Sequence, residues 1–194
     1  MDKIEIKNAT IIDGLGGDPY IGSLYLNNGK IIAITNGESF DADISIDATG
    51  KVVTPGFIDL HTHSDISFLL DSTAQSKVRQ GVTLELIGNC GLSLCAPLIG
   101  DAREMFDTWV SDHTDSYDPY WTDYAGYIDA SKKAKATVNI AFQIGHASLR
   151  LAVMGQEDRP PTADELTEMK RLAGESMDAG ALGFSTGLFY APGY

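Results

Sequence analysis

Short apolar and alternating runs fill the first 54 residues and predict a small β-rich unit. Asn28 and Gly29 separate two of these runs, and an Asn-Gly pair in that setting is typical of a tight hairpin turn. No helical period occurs in this stretch, so we expect an antiparallel sheet without helices over residues 1–54. Such a sheet is too thin to be stable alone and must pack on something else.

From residue 55 the pattern changes to strands that alternate with helices, which predicts a parallel sheet with crossover helices. The predicted strands cover residues 56–63, 82–88, 138–144 and 181–188. The predicted helices cover residues 71–80, 122–135 and 162–179. Thr162 and Glu165 form a capping box before the third helix, and Gly180 suits its end. We therefore predict two domains, 1–54 and 55–194.

The segment 100–125 does not follow this pattern, because it is acidic and rich in aromatic residues. Those residues are Trp109, Tyr117, Tyr120, Trp121 and Tyr124. One interpretation is an elaborated loop with a short helix, held by aromatic packing. The other is a lid over a pocket, since long structured loops often carry function.

Four strand–helix units amount to half of an eight-stranded α/β barrel, which usually needs about 250 residues. The sequence stops at Tyr194, shortly after a predicted strand. We therefore expect the chain to be the N-terminal part of a longer protein. Its open sheet edges would need the remainder of the barrel or a self-associated copy, and we expect the 194 residues alone to be inactive.

Composition narrows the classes of function. A net charge of −13 argues against binding to nucleic acid, because few cations are present to neutralise phosphates. No window of 18 uninterrupted apolar residues predicts a membrane span, and the charged start is unlike a signal peptide. Two cysteines, Cys90 and Cys95, are too few for a disulfide framework, so we expect a cytoplasmic protein.

The first candidate chemistry lies at the end of the strand predicted over 56–63. His61 and His63 are two residues apart, so on a strand they share a face, with Cα atoms roughly 6.5–7 Å apart. Imidazoles at that spacing can converge on one metal ion at about 2.0–2.1 Å. The same parity places Asp59 and Asp65 on the face of the histidines.

The second candidate is Cys90, which follows the strand predicted over 82–88. A free cysteine near a strand is most often a small buried apolar residue. Asn89 and Gly91, however, place Cys90 in a tight polar turn, and a thiolate is a strong zinc ligand.

Several motifs together resemble the N-acyl-D-amino-acid deacylase (D-aminoacylase) branch of the amidohydrolase superfamily. They occur in the order expected for that branch and span essentially the whole chain. They are Pro55-Gly56-Phe57-Ile58-Asp59-Leu60-His61-Thr62-His63, Gly88-Asn89-Cys90-Gly91, Gly145-His146-Ala147-Ser148-Leu149-Arg150 and Gly183-Phe184-Ser185-Thr186-Gly187-Leu188 with Tyr190-Ala191-Pro192-Gly193.

The resemblance implies an N-terminal β-sandwich segment and a distorted (β/α)8 barrel that binds one or two zinc ions. It implies His61, His63 and Cys90 as metal ligands and Tyr190 as a contact for the substrate carboxylate. Many amidohydrolases bridge two metal ions with a carboxylated lysine of the fourth strand, but residues 181–188 contain no lysine, so the resemblance implies that Cys90 supplies the anionic ligand. The further histidine ligands and the general-base aspartate are expected beyond Tyr194.

Two polar residues near these ligands have supporting roles in this interpretation. We expect Asp65 to hydrogen-bond a histidine ligand and so to orient its ring toward the metal. His146 ends the third predicted strand, where it would either orient a ligand or contact substrate, or else serve as a structural histidine. Ser185 resembles a nucleophile in a Gly-x-Ser-x-Gly motif, but no triad partner is evident.

The function implied is zinc-dependent hydrolysis of N-acyl-D-amino acids, small molecules whose amide bond is cleaved to a D-amino acid and a carboxylate. One alternative is another cyclic-amide or dipeptide hydrolase of the superfamily, similar to hydantoinases or dihydroorotases. A second alternative is a non-catalytic relative that keeps the barrel as a scaffold.

Overall fold

The computed structural model describes residues 2–94, 97–111, 121–189, 191 and 193, with the side chain of residue 109 excepted. The chain divides into two compact units, Met1–Gly56 and Phe57–Tyr194. Among the described helices, none combines the length and the apolar character that crossing a membrane requires.

The first unit is a mixed sheet. Its described strands are Ile4–Ile11 (β1), Tyr20–Asn27 (β2), Lys30–Thr35 (β3), Ile44–Asp47 (β4) and Val52–Val53 (β5). The strand order is β3-β2-β1-β4, and β5 also pairs with β1. The predicted hairpin is confirmed, because β2 and β3 pair antiparallel around Asn28 and Gly29, both at positive φ.

The prediction of a purely antiparallel sheet is wrong, because β1 pairs in parallel with both β4 and β5. A small apolar cluster of Ala9, Ile11, Leu24 and Ala48 holds one face of this sheet together. The buried Glu5 is satisfied by the Tyr25 hydroxyl, which donates a hydrogen bond of 2.6 Å to it.

The second unit contains a parallel sheet covered by helices, which confirms the predicted α/β class. Its described strands are Phe57–Asp59 (β6), Val82–Ile87 (β7), Asn139–Gly145 (β8) and Gly183–Ser185 (β9), in the order β6-β7-β8-β9. All three pairings are parallel. Because parallel strands end at one edge, the loops after β6, β7, β8 and β9 meet there.

The described helices of this unit are Ser67–Leu70 (α1), Gln75–Val78 (α2), Asp101–Ser111 (α3), Tyr124–Ala134 (α4), His146–Met154 (α5) and Ala163–Asp178 (α6). The capping box at α6 is confirmed, with Thr162 and Glu165 bonded reciprocally. Of the helix predicted over 71–80, only the short α2 forms, and the other short helix, α1, lies before that range. Helix α5 was not predicted, because its residues 147–151 are all buried and show no amphipathic period.

The core of the second unit lies between the sheet and its helices. Phe106, Trp121 and Tyr127 are fully buried and stack edge to face or at a tilt. The Trp121 indole N–H donates to the Leu94 carbonyl at 2.7 Å. In the described part of the segment 100–125, α3 and Trp121 therefore pack as core, as the first interpretation of that segment expected. Tyr117 and Tyr120 lie outside the described residues.

Candidate metal site

The histidine pair follows β6 rather than lying within it. The strand ends at Asp59, and the Asp59 carboxylate accepts a hydrogen bond from the His61 backbone N–H at 3.2 Å, which turns the chain. The expectation that both histidines continue the strand is therefore wrong. Their rings nevertheless lie close together and exposed, with centroids 5.6 Å apart.

Cys90 lies in a turn after β7. It has a φ of +57°, which is uncommon for a residue with a side chain, and glycines at positive φ stand at positions 88 and 91. The half-buried Cys90 Sγ lies 3.1 Å from His61 Nε2. The turn therefore points the thiol toward the histidine pair.

The ligand atoms of His61, His63 and Cys90 all lie within 4.8 Å of one another. Two imidazole nitrogens and a thiolate are a donor set that zinc prefers, at about 2.0–2.1 Å for nitrogen and 2.3 Å for sulfur. Atoms bound to one ion are at most about 4.4 Å apart by those lengths, so small side-chain rotations would close the set. The residues present fit a zinc ion, and no other such group of three or more His, Cys, Asp or Glu occurs among the described residues.

Asn89 links the cysteine turn to the histidine segment. Its side-chain amide donates to the carbonyls of Thr62, at 3.1 Å, and Leu86, at 2.7 Å. Gln143 of β8 in turn donates to the Asn89 carbonyl oxygen at 3.1 Å. The three interactions tie the loops after β6 and β7 to the neighbouring strand. From the sequence, Asn89 was identified only as a neighbour of Cys90, and its hydrogen bonds were missed.

A cluster of one lysine and two carboxylates contacts the histidine segment through Thr62. Lys77 Nζ contacts Asp59 at 2.7 Å, Glu85 at 2.8 Å and the Thr62 hydroxyl at 2.8 Å. Burial disfavours the charged form of Lys77, but its hydrogen bonds to Asp59 and Glu85 outweigh burial and raise its pKa. The bond from Lys77 likewise lowers the pKa of Asp59. Glu85 was missed from the sequence, although a charge in the middle of an apolar strand signals a buried partner.

Asp65 does not make the hydrogen bond to a histidine that we expected. Both of its carboxylate oxygens are buried without a hydrogen-bond partner. Burial raises the pKa of this carboxyl to about 6, although the nearby amides of Gly88 and Leu94 act in the opposite direction. The reason is local: β6 ends at Asp59, so the alternation of faces does not extend to residue 65.

His146 begins α5 and is not among the residues whose ligand atoms converge within 4.8 Å of one another. Its Nδ1 is 3.5 Å from the Thr186 hydroxyl, and its ring centroid is 6.2 Å from that of Phe184. Burial, and then the charge of Arg150, lower the pKa of this half-buried imidazole. The predicted substrate contact Tyr190 and the second cysteine, Cys95, lie outside the described residues.

Comparison with known proteins identifies the family to which this chain is similar. Residues 45–192 match the Amidohydrolase family. An N-acyl-D-glutamate deacylase of Alcaligenes xylosoxydans xylosoxydans is 38% identical over 189 residues, which cover 97% of this chain and 38% of that protein. The chain therefore spans about two fifths of the length of this relative.

Two solved structures share the fold. An N-acyl-D-glutamate deacylase from Bordetella bronchiseptica, complexed with zinc and a phosphonate inhibitor that mimics the tetrahedral intermediate, has a TM-score of 0.84 at 35% identity. The match covers 99% of this chain and 40% of that one. A D-aminoacylase with a binuclear metal centre has a TM-score of 0.88 at 35% identity, covering 100% of this chain and 40% of that one. Since the family match extends over most of its residues, the chain belongs to the amidohydrolase family.

Proposed function

We propose that this chain carries the metal site of a zinc-dependent hydrolase that removes the acyl group from N-acyl-D-amino acids. The observation that carries the proposal is the convergence of His61, His63 and Cys90 within 4.8 Å. The similarity to N-acyl-D-amino-acid deacylases over nearly the whole chain supports the substrate class. We place the reaction in the cytoplasm, because two cysteines do not form a disulfide framework.

In this proposal His61, His63 and Cys90 hold one or two zinc ions. When bound, zinc acts as a Lewis acid toward the scissile carbonyl and lowers the pKa of water. Cys90 contributes the negative charge that offsets the ion, because residues 181–188 contain no lysine that could be carboxylated to supply an anionic ligand. Asn89 orients the turn of Cys90 against the histidine segment through Thr62.

Two further roles belong to the proposal. Tyr190 holds the carboxylate of the substrate, and this contact stays a prediction. Proton transfer to the leaving amine needs a carboxylate that reaches the substrate. Asp65 does not qualify, because only 6% of it is exposed.

The test uses the protein as its gene encodes it, loaded with zinc. Matched N-acetyl-D- and N-acetyl-L-amino acids are assayed for release of the amine, and bound metal is measured by mass spectrometry. We expect hydrolysis of the D-enantiomers, loss of activity with a chelator, and loss of both metal and activity in Cys90→Ala. Cys95→Ala is the matched control and should retain both.

Other outcomes would reassign the function. Equal rates for the two enantiomers, or a preference for hydantoins, would move the protein to the cyclic-amide hydrolases. Full zinc occupancy and normal turnover in Cys90→Ala would remove the thiol from the site. Absence of bound metal from the intact protein would favour a scaffold without catalysis.

A further inference from the structure

The turn that carries Cys90 is conformationally demanding. Within four residues, Gly88, Cys90 and Gly91 have φ values of +81°, +57° and +80°. Glycine adopts this region freely, but a residue with a Cβ does so at an energetic cost. Something outside the turn must therefore hold Cys90 in this conformation.

Ser185, at the end of β9, supplies such a contact from more than ninety residues away. Its hydroxyl donates to the Gly88 carbonyl and accepts from the Gly91 N–H at 3.0 Å. One side chain thereby bonds to both flanks of Cys90. The two bonds close a ring that includes the whole turn.

The surrounding backbone keeps the turn close to Ser185. A Cβ at Gly88 would overlap the carbonyl of Gln143, and one at Gly91 would lie 2.9 Å from the Gly187 nitrogen. The Ser148 N–H, in the first turn of α5, also donates to the Gly91 carbonyl at 3.2 Å. The turn is therefore confined between β8 and the residues that follow β9.

The same bonds explain the Gly-Phe-Ser-Thr-Gly motif of residues 183–187. The hydroxyl hydrogen of Ser185 is directed to a backbone carbonyl, and one of its lone pairs receives a backbone N–H. A nucleophilic serine instead needs a base to accept that hydrogen. In this motif, Ser185 therefore holds the turn of Cys90 and does not serve as a nucleophile.

The geometry points to Ser185 as a positioning residue that holds the Cys90 thiol toward His61 and so sets the affinity of this site for thiophilic metal ions. The inference rests on the proposed metal site and extends it to a residue outside the ligand set. Partners that orient metal ligands typically contribute 10–100-fold to metal affinity.

The test measures metal binding directly. Zinc affinity is determined by competition with a chromogenic chelator, and cobalt(II) is titrated into the metal-free protein. A near-ultraviolet charge-transfer band reports whether the thiolate is bound to cobalt. We expect Ser185→Ala to bind zinc about 10–100-fold more weakly and to show a weaker band at cobalt saturation.

Two controls separate positioning from general stability. Ser176→Ala removes a buried hydroxyl whose hydrogen bond to a described residue lies within α6, to the Leu172 carbonyl, and should leave zinc affinity and the band unchanged. Should Ser185→Ala not fold, Ser185→Thr and Ser185→Val form a pair of equal shape. The threonine variant should keep the band and the valine variant should lose it.

The outcomes distinguish this inference from the proposed function. An unchanged band and affinity in Ser185→Ala, or an equal band in the threonine and valine variants, would overturn the role of Ser185 and leave the metal site intact. Absence of a thiolate band in the unmodified protein would overturn both.

Discussion

The side-chain amide of Asn89 donates a hydrogen bond of 3.1 Å to the backbone carbonyl of Thr62, the residue between the two histidines. Asn89 itself immediately precedes Cys90. This hydrogen bond therefore connects the segment that carries both histidines to the turn that carries Cys90, although 27 residues separate Thr62 from Asn89. Together with the 3.1 Å contact between His61 Nε2 and Cys90 Sγ, this bond holds the two ligand-bearing loops next to each other.

We predict that Asn89→Ala weakens zinc binding by about 10–100-fold, because the histidine segment and the cysteine turn lose the hydrogen bond between Asn89 and Thr62. Chelator competition measures the effect. Asn139→Ala is the control, since its side-chain amide also donates to a backbone carbonyl, that of Thr83, but at the opposite end of the sheet. Equal losses in the two variants would contradict a specific role for Asn89.

Gly88→Ala should destabilise the second unit by at least about 2 kcal/mol. The added Cβ would overlap the Gln143 carbonyl, and the residue has a φ of +81°. Gly174→Ala, in α6, has open space around the new methyl group and should raise stability by about 0.5–1 kcal/mol. Denaturant unfolding of both variants checks the prediction, and a similar effect of the two would refute it.

Lys77→Met should lower the free energy of unfolding by about 2–3 kcal/mol, because Glu85 is only 1% exposed and would lose its cationic partner. A cavity of about 240 Å³ beside Lys77 and Glu85 admits water and moderates the loss. Lys132→Met removes an exposed lysine whose nearest carboxylate is 3.9 Å away. That control should change stability by less than about 0.5 kcal/mol.

Glu165 should show a pH-dependent contribution to stability. The Arg159 guanidinium, and then the Thr162 N–H, lower the pKa of this carboxyl to about 2. Because the folded pKa lies below the unfolded value of about 4.3, the contribution is complete above that value and is lost as the pH falls toward 2. The difference in unfolding free energy between the unmodified protein and Glu165→Gln should shrink over that window.

Carbon-13 NMR titration of Glu165 provides a direct check on the same interaction. Arg159→Met should move the carboxyl pKa back toward its ordinary value, because the bidentate contact at 2.7 and 2.8 Å disappears. A Glu165 that titrates near 4.3 in the unmodified protein would show that the ion pair does not form in solution.

Local patterns were sufficient to predict much of this fold. The Asn28-Gly29 hairpin and the Thr162–Glu165 capping box depend on residues close in sequence, and both are confirmed. The parallel pairing of β1 with β4 was missed, because partner choice between strands some forty residues apart leaves no local signal. Helix α5 was missed for another reason: its residues 147–151 are all buried, and its N-cap residue, Gly145, provides no side-chain cap.

In the candidate site too, the positions of the ligands could be predicted from local sequence, whereas the long-range contacts around them could not. His61 and His63 were expected at the end of the strand predicted over 56–63, and Cys90 just after the neighbouring parallel strand. The structure brings the three together although the strand ends before the histidines, while their binding of metal stays a prediction. The contacts that hold them were not foreseeable. Ser185 bonds across 94 and 97 residues, and no period or spacing in the sequence indicates that pairing.

The Lys77 cluster has a consequence for how this chain can vary. Asp59 and Lys77 are partly buried and Glu85 is fully buried, and their charges offset one another, so we expect replacement of one to be tolerated best when its partners change with it. A library that randomises Lys77 alone should return almost only lysine. A library that varies the three positions together should also return apolar triplets, in which the charges have been exchanged for packing. Among homologues, these three positions should therefore covary.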